Sequence, residues 1–181
     1  MSGGRAVVLI DGGYLDHVLK SCDVRGDIDY DQLIHALAQP AILKEAFYYH
    51  CRHYRPKNPT EEDRKRQATS DSFLDRLERV PSLTVRYGKP VHRGEKPDGQ
   101  PIPVQKQVDV LLAVEIVRIA LRREAPEIVL VTGDSDLLPA LRIARDEGIR
   151  IRLAHGTRDD RPHGELRELA HASHPLDRAR F

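Results

Sequence analysis

The sequence predicts an α/β fold, a three-layer α/β/α sandwich around a mostly parallel five-stranded sheet. Short aliphatic runs, such as residues 6–10 and 128–131, alternate along the chain with segments of helical periodicity. This alternation is typical of parallel strands joined by crossover helices. The length of 181 residues fits a single domain over 1–181, with its core at about 5–155 and a C-terminal helix and tail over 156–181.

The first half of the chain contains three predicted strands and three predicted helices. The first strand is uninterrupted by polar residues and ends in Asp11-Gly12-Gly13, which permits a tight turn. Thr60 and Asp63 have the spacing of a capping box at the start of the third helix. The predicted strands are 6–10, 45–51 and 83–87, and the predicted helices are 14–19, 31–38 and 61–79.

The second half begins with a basic, proline-rich segment, 88–104, which we interpret as an exposed flap whose flanks could pair as a hairpin. Helix 110–121 is apolar nearly all round, so we expect it to be buried against the sheet. In a predicted strand over 149–153, aliphatic residues alternate with arginines, which favours a position nearer the sheet edge. The remaining predicted elements are strand 128–131 and helices 136–147 and 165–172.

Composition limits the function classes. The formal net charge is only +1, so a nucleic-acid partner would need a local basic face rather than bulk charge. Two unpatterned cysteines, Cys22 and Cys51, fit a reducing compartment better than a disulfide framework. No apolar run is long enough to span a bilayer, and the N-terminus lacks the pattern of a signal peptide. We therefore expect a soluble, cytoplasmic protein.

Carboxylates occur at strand ends and at helix starts in three separate segments. Asp11 follows the first strand, Asp109 lies in the first turn of helix 110–121, and Asp134 and Asp136 follow strand 128–131. Each could be a helix cap or a first-turn acid, and Ser135 or Asp134 could cap helix 136–147, with capping the favoured role of Ser135. Brought together at one sheet edge, however, they would repel each other unless a cation neutralised them. An all-oxygen set suits Mg²⁺ or Mn²⁺ rather than zinc.

Three motifs resemble those of a known family. The segments VVLIDGGYLD, KQVDVLLAVEIVRIA and IVLVTGDSDLLPALRIARDEGIRIRLA are similar to the NYN domain, specifically its LabA-like (DUF88) branch of the PIN-like nuclease superfamily. The resemblance covers about residues 5–154. It implies a PIN-like sheet of strand order 3-2-1-4-5 and metal-dependent hydrolysis of RNA phosphodiester bonds. It also implies that Asp11, Asp109, Asp134 and Asp136 are the catalytic, Mg²⁺- or Mn²⁺-binding residues.

The chain departs from the family pattern at three positions. Many NYN domains carry asparagine where this chain has Tyr14, although the LabA-like branch often has tyrosine. Gln107 replaces the glycine of a Lys-Gly-Val-Asp motif, and Leu137 replaces a common aromatic residue. None of these changes removes a carboxylate, so they bear on substrate preference rather than on metal binding.

Further residues are candidates for substrate binding. Lys106 could contact a phosphate, Ser135 could hydrogen-bond one, and Tyr14 and Tyr54 could stack on bases. Basic residues near the ends of the second and third strands and in the flap could rim the acids: Arg52, Arg55, Lys57, Arg86, Lys89, Arg93 and Lys96. We predict a metal-dependent ribonuclease acting on single-stranded or structured RNA. The alternative is a catalytically inactive RNA-binding or regulatory module of the same fold, and a homodimer is compatible with either.

Overall fold

The sheet of this protein has seven strands, six of them parallel. The structure is a computed structural model that describes residues 4–24, 28–52, 56, 59–95, 101–157 and 160–176, with the backbone alone for 90–95 and 101–106. The strands are β1 (Arg5–Asp11), β2 (Ile42–Cys51), β3 (Leu83–Glu95), β4 (Pro101–Lys106), β5 (Glu127–Val131), β6 (Arg150–His155) and β7 (Ala172–Pro175). The helices are α1 (Gly12–Ser21), α2 (Tyr30–Ala38), α3 (Glu61–Leu77), α4 (Val108–Arg122), α5 (Leu138–Asp146) and α6 (Gly164–Leu169), and a 3-10 turn, Ser135–Leu137, precedes α5.

The strand order is β4-β3-β2-β1-β5-β6-β7. The five predicted strands are β1, β2, β3, β5 and β6, and their order confirms the expected 3-2-1-4-5 arrangement. The two additional strands lie at the edges. The end of β3 pairs antiparallel with β4, as the flap prediction allowed, and β7 pairs parallel with β6. The sequence ASHP of β7 has no hydrophobic alternation, so it carried no strand signal.

Alternate side chains of β1 pack into two separate cores. Val7 and Leu9 face α4, α5 and α6, whereas Ala6, Val8 and Ile10 face α1, α2 and α3. A strand that is buried on both faces needs the uninterrupted apolar run that predicted it. Since β1 and β5 are the central strands, their carboxyl ends meet at the middle of one sheet edge.

The expectation that helix 110–121 is buried against the sheet is correct for one side of the helix only. Helix α4 buries Leu112, Ile116 and Ile119, but Val114 and Leu121 on its other side are 59% and 63% exposed. The helix covers the sheet from one side only, so the opposite stripe faces outward despite its apolar residues.

Strand β6 lies next to the edge strand β7, in agreement with the expectation of a position nearer the sheet edge. Its Arg152 is nevertheless buried: the guanidinium pairs with Glu127 at 2.7 Å and donates to the backbone oxygen of Ala38. A buried arginine needs such partners. Arg150, the other arginine of the strand, is exposed.

The predicted helix 136–147 begins differently from the expectation. Residues 135–137 form a 3-10 turn, and the α-helix begins at Leu138 with Pro139 in its first turn. Proline is tolerated there because the first N–H groups of a helix have no intrahelical partner. Within the described part of the chain, no helix combines the length and the apolar character needed to cross a bilayer.

Candidate active site at the carboxyl edge of the sheet

Asp11 stands where β1 passes directly into α1. Its side chain caps the helix, accepting a hydrogen bond from the Tyr14 backbone N–H at 3.1 Å. The following Gly12 is buried, and a Cβ there would lie 2.4 Å from the Tyr48 ring and 2.9 Å from the Tyr49 carbonyl oxygen. Only glycine lets the chain turn this close to β2. The strand-to-helix transition therefore holds the Asp11 carboxylate at the sheet edge.

Asp134 holds the equivalent place after β5. Its Oδ1 accepts a hydrogen bond from the Asp136 backbone N–H at 2.9 Å, so Asp134 caps the 3-10 turn. The expectation that Ser135 is the cap is wrong, because Ser135 is already the first residue of that turn. Ser135 itself is half-buried, and its contact with a phosphate stays a prediction.

The buried hydroxyl of Thr132 joins these two strand ends. Thr132 is fully buried; its Oγ1 lies 3.5 Å from Oδ2 of Asp11 and accepts a hydrogen bond from the Asp134 backbone N–H at 3.2 Å. Buried polar groups are expected to be hydrogen-bonded in this way. Thr132 thus sets the separation between two of the predicted acids, a role that the sequence did not reveal.

Asp109 reaches the same edge from α4. It is the second residue of the helix and is preceded by Gln107, whose φ of 73° is left-handed. No side chain caps this helix start. A non-glycine residue in this conformation costs about 1–2 kcal/mol, which explains why the family pattern has glycine here.

These acids line one cavity of about 590 Å³. Asp136 is not part of its lining, but its charge acts on Asp109. The structure thus brings the four predicted acids to one region, with three of them on a common wall. The lining residues are Asp11, Gly13, Tyr14, His17, Val108, Asp109, Gly133, Asp134, Asp160 and Arg161.

The pKa values of two of these carboxyl groups, Asp11 and Asp109, are raised. Burial raises the pKa of Asp11, and the charges of Asp109 and Asp134 add to that effect, while the hydrogen bond from Tyr14 opposes it. The pKa of Asp109 is raised by burial and by the charges of Asp134 and Asp136. Repulsion between these acids, which come from three segments, disfavours their ionised forms. A bound cation would relieve it.

The donor set fits a hard divalent cation by its chemistry, since all the candidate ligands are carboxylate oxygens. The described residues do not, however, include a group of three or more acid, histidine or cysteine side chains already closed around a single ion position. The acids are therefore close enough to interact electrostatically without forming a finished coordination shell.

Tyr14 connects three segments of the chain through its side chain, a role that the sequence did not predict. Its hydroxyl donates to the backbone oxygen of Asp160 at 2.5 Å and accepts from the Gly156 N–H at 3.0 Å. A Cβ on Gly133 would lie 2.5 Å from the Tyr14 ring. Tyr14 thus connects α1 to the ends of β5 and β6, and base stacking by its ring stays a prediction.

Arg52 is not among the residues that line the cavity, and its role in substrate binding stays a prediction. Its guanidinium donates to Asp71 at 3.2 Å and to the Tyr87 hydroxyl at 3.3 Å, and it lies 4.5 Å from the centre of the Tyr87 ring. These contacts tie the end of β2 to α3 and β3. A guanidinium with several partners and a stacked ring is a structural link.

The other predicted basic contacts are only partly described. Lys106 ends β4 and Arg93 lies in the paired part of β3, but their side chains are outside the described atoms. Tyr54, Arg55, Lys57 and Lys96 lie outside the described residues. Arg86 lies over the Phe47 ring at 5.5 Å, and Lys89 is exposed.

Three residues of the cavity escaped sequence interpretation: His17, Asp160 and Arg161. His17 lies on a helix whose sequence pattern is explained by its apolar residues. Asp160 and Arg161 lie in a polar loop without a recognisable motif. Only the pairing of β5 with β6, and the bond from Tyr14, bring this loop to the acids. No local pattern could have found them.

Comparison with known proteins agrees with this architecture. The NYN domain family matches residues 5–177. A protein of unknown function, VPA0982 from Vibrio parahaemolyticus, has a similar fold, with a TM-score of 0.66, 18% identity and coverage of 98% of this chain and 95% of that chain. A putative oxidoreductase from Parabacteroides merdae aligns at a TM-score of 0.34 and 9% identity, over 97% of this chain and 32% of that one, which is too little likeness to support an argument.

None of the curated proteins matches this sequence. NYN domains are part of the PIN-like nuclease superfamily, and their nucleases generally depend on divalent metal ions. The family match extends over nearly the whole chain, and the strand order and the placement of acids at the carboxyl edge are consistent with it. This chain belongs to the NYN domain family.

Proposed function

We propose that this protein is a metal-dependent ribonuclease that hydrolyses RNA phosphodiester bonds at the acid cavity. The observation that supports this proposal best is the convergence of Asp11, Asp109 and Asp134, from three separate segments, on one cavity wall. Acids that served only as separate helix caps or first-turn acids would not need to line the same cavity. Their charges would also not need to raise the pKa of Asp11 and Asp109.

In this proposal, Asp11, Asp109 and Asp134 hold Mg²⁺ or Mn²⁺, with Asp136 at the margin of the site. The ion would supply activation of a water molecule and neutralisation of charge on the phosphate. Asp11 and Asp134 are oriented by their capping hydrogen bonds and by Thr132, so their oxygens are positioned before an ion binds.

RNA is the proposed substrate because family membership favours it. Lys106, Ser135 and Arg93 remain candidates for holding its phosphates. Homodimerisation and a cytoplasmic location are likewise proposals.

The alternative is a catalytically inactive RNA-binding or regulatory module of the same fold. The absence of a closed three-ligand group among the described residues favours this alternative. Retention of all four acids favours the enzyme, because a domain under no catalytic demand has no reason to keep mutually repelling carboxylates together.

Cleavage of a pool of cellular RNAs in Mn²⁺ by wild-type protein and Asp134→Asn tests the proposal. Asparagine can still cap the 3-10 turn, so the substitution removes charge while keeping the local structure. Asp146→Asn, at an exposed acid at the end of α5, is the matched control. We expect cleavage by wild type and by the control, and a loss of at least about a hundredfold in Asp134→Asn.

Equal cleavage by all three proteins would refute the mechanism. If none cleaves RNA but all bind it equally with and without Mn²⁺, the binding module is the correct function. Thermal unfolding provides a second measurement: Mn²⁺ should raise the unfolding temperature of wild type and of Asp146→Asn, but not that of Asp134→Asn.

A further inference from the structure

Asp160 is a buried acid on the wall of the same cavity. Its side chain is only 9% exposed, and Oδ2 has no hydrogen-bond partner in the described part of the chain. Oδ1 lies 3.7 Å from Nδ1 of His17, an ion-pair separation. A buried carboxylate with an unpaired oxygen is costly unless a cation compensates for it. His17, which also lines the cavity, is the basic side chain that faces this carboxylate.

The fold holds Asp160 against the helix that carries His17. Tyr14 lies one helical turn before His17 on α1, and its hydroxyl binds the Asp160 backbone oxygen. The loop is also tight at its other end, since a Cβ on Gly156 would lie 2.5 Å from the Asp160 Cβ. The position of Asp160 relative to α1 is therefore set by backbone contacts and does not depend on the His17 side chain, which is 80% exposed.

Acidic side chains surround His17. Asp160 faces it from the loop, and Asp16 is its neighbour on α1, where Lys20 also lies. Asp11, Asp109 and Asp134 lie on the walls of the same cavity, and Arg161 is the one arginine or lysine among the described residues of its lining. Acids thus outnumber bases around the imidazole. An RNA strand that enters this cavity brings further negative charge and needs cationic contacts.

We propose that His17, held by Asp160, is a phosphate-binding residue of the acid cavity that contacts RNA as a protonated imidazole. Nδ1–H faces Asp160, which leaves Nε2–H to donate to a phosphate oxygen. Asp160 is a positioning residue that acts through His17. The inference rests on the proposed RNA substrate, but it concerns binding and does not require cleavage.

One consequence is a pH-dependent affinity for RNA. A charged imidazole donates to phosphate more strongly than a neutral one, so we expect affinity to fall as the pH rises through the range in which imidazole groups lose their proton. A second His–Asp pair in the chain provides a matched control. His35 and Asp31, on α2, also lie 3.7 Å apart, with both side chains 52% exposed, and neither lines the acid cavity.

Fluorescence anisotropy with a labelled single-stranded RNA of about twelve nucleotides tests the inference in EDTA, where metal-dependent cleavage cannot occur. We expect wild type and His35→Gln to lose about fivefold to tenfold in affinity between about pH 5.5 and about pH 8. His17→Gln should bind as weakly at the lower pH as wild type does at the higher one. Since His17 is exposed, glutamine at this position should not disturb folding.

The same pH dependence in His17→Gln as in wild type would overturn the inference, and so would wild-type protein that binds no RNA at either pH. A parallel cleavage assay in Mn²⁺ reports separately on the proposed function, so that RNA binding through His17 without cleavage refutes only the enzyme. The role of Asp160 is tested in the same anisotropy assay: Asp160→Asn should reduce the difference in RNA affinity between the two pH values, and an unchanged difference would contradict that role.

Discussion

The Thr132 hydroxyl lies 3.5 Å from the Asp11 carboxylate, although the two residues are 121 positions apart in the sequence. The same hydroxyl accepts the Asp134 backbone N–H. One buried oxygen thus connects the ends of the two central strands. The spacing of two candidate ligands depends on this residue, which has no charge and no catalytic chemistry of its own.

Replacing Thr132 with valine should disturb both stability and activity. Valine keeps the shape but leaves the Asp134 N–H without its partner, so we expect the free energy of unfolding to fall by about 1–3 kcal/mol. RNA cleavage should fall by about tenfold if displacement of the two acids raises the activation free energy by about 1.4 kcal/mol. Thr132→Ser keeps the hydroxyl and should retain cleavage. Denaturant unfolding and the Mn²⁺ assay measure the two effects, and equal cleavage by both variants would show that the hydroxyl does not order the site.

Gly133→Ala should destabilise the protein through Tyr14. The new Cβ would lie 2.5 Å from the Tyr14 ring, so we expect a loss of about 1–3 kcal/mol. The same substitution should cost less in a Tyr14→Ala background, because the obstructing ring is gone. Gly164→Ala, which has no atom within 4 Å of the added Cβ, is the control and should be nearly neutral. An identical cost in both backgrounds would mean that the strain arises elsewhere.

The stability contribution of Asp16 should depend on pH. Burial raises its pKa to about 6, with Lys20 opposing the shift. A carboxyl whose folded-state pKa is raised contributes stability below its unfolded value of 3.8, and that contribution is lost as the pH rises through about 6. Asp16→Asn should therefore raise the free energy of unfolding at pH 8, by on the order of 2 kcal/mol, and change it little at pH 3.5.

Asp75→Asn, at an exposed acid of α3, is the control for Asp16→Asn. Urea unfolding at the two pH values is the measurement. A stabilisation of Asp16→Asn that is equal at both values would contradict the raised pKa.

Gln107→Gly should stabilise the start of α4. The φ of 73° costs a non-glycine residue about 1–2 kcal/mol, and part of this is offset by the greater freedom of glycine in the unfolded chain. We expect a net gain of about 0.5–1 kcal/mol in thermal or urea unfolding. The reciprocal change, Gly148→Ala at a φ of 81°, should lose a similar amount although its Cβ would meet no atom. Destabilisation by Gln107→Gly would show that the glutamine side chain makes a contact worth more than the strain.

Sequence patterns were sufficient to predict the strands, caps and candidate acids that depend on local chemistry. The apolar runs of β1 and β5 identify doubly buried strands, and the Thr60–Asp63 capping box and the acids at Asp11, Asp109 and Asp134 are visible as motifs. Because parallel strands place their carboxyl ends at one edge, these motifs also indicated where the acids would meet.

Tertiary structure alone decided which residues complete the site. Thr132, His17 and Asp160 have ordinary local sequences, and Tyr14 reaches Asp160 across 146 positions. The burial of Arg152 and the exposure of the apolar outer face of α4 were not predicted, for the same reason: burial depends on which neighbour covers a side chain. Periodicity records the preferences of a residue within its own element, whereas its partners across the fold are set by the packing of elements that are distant in sequence.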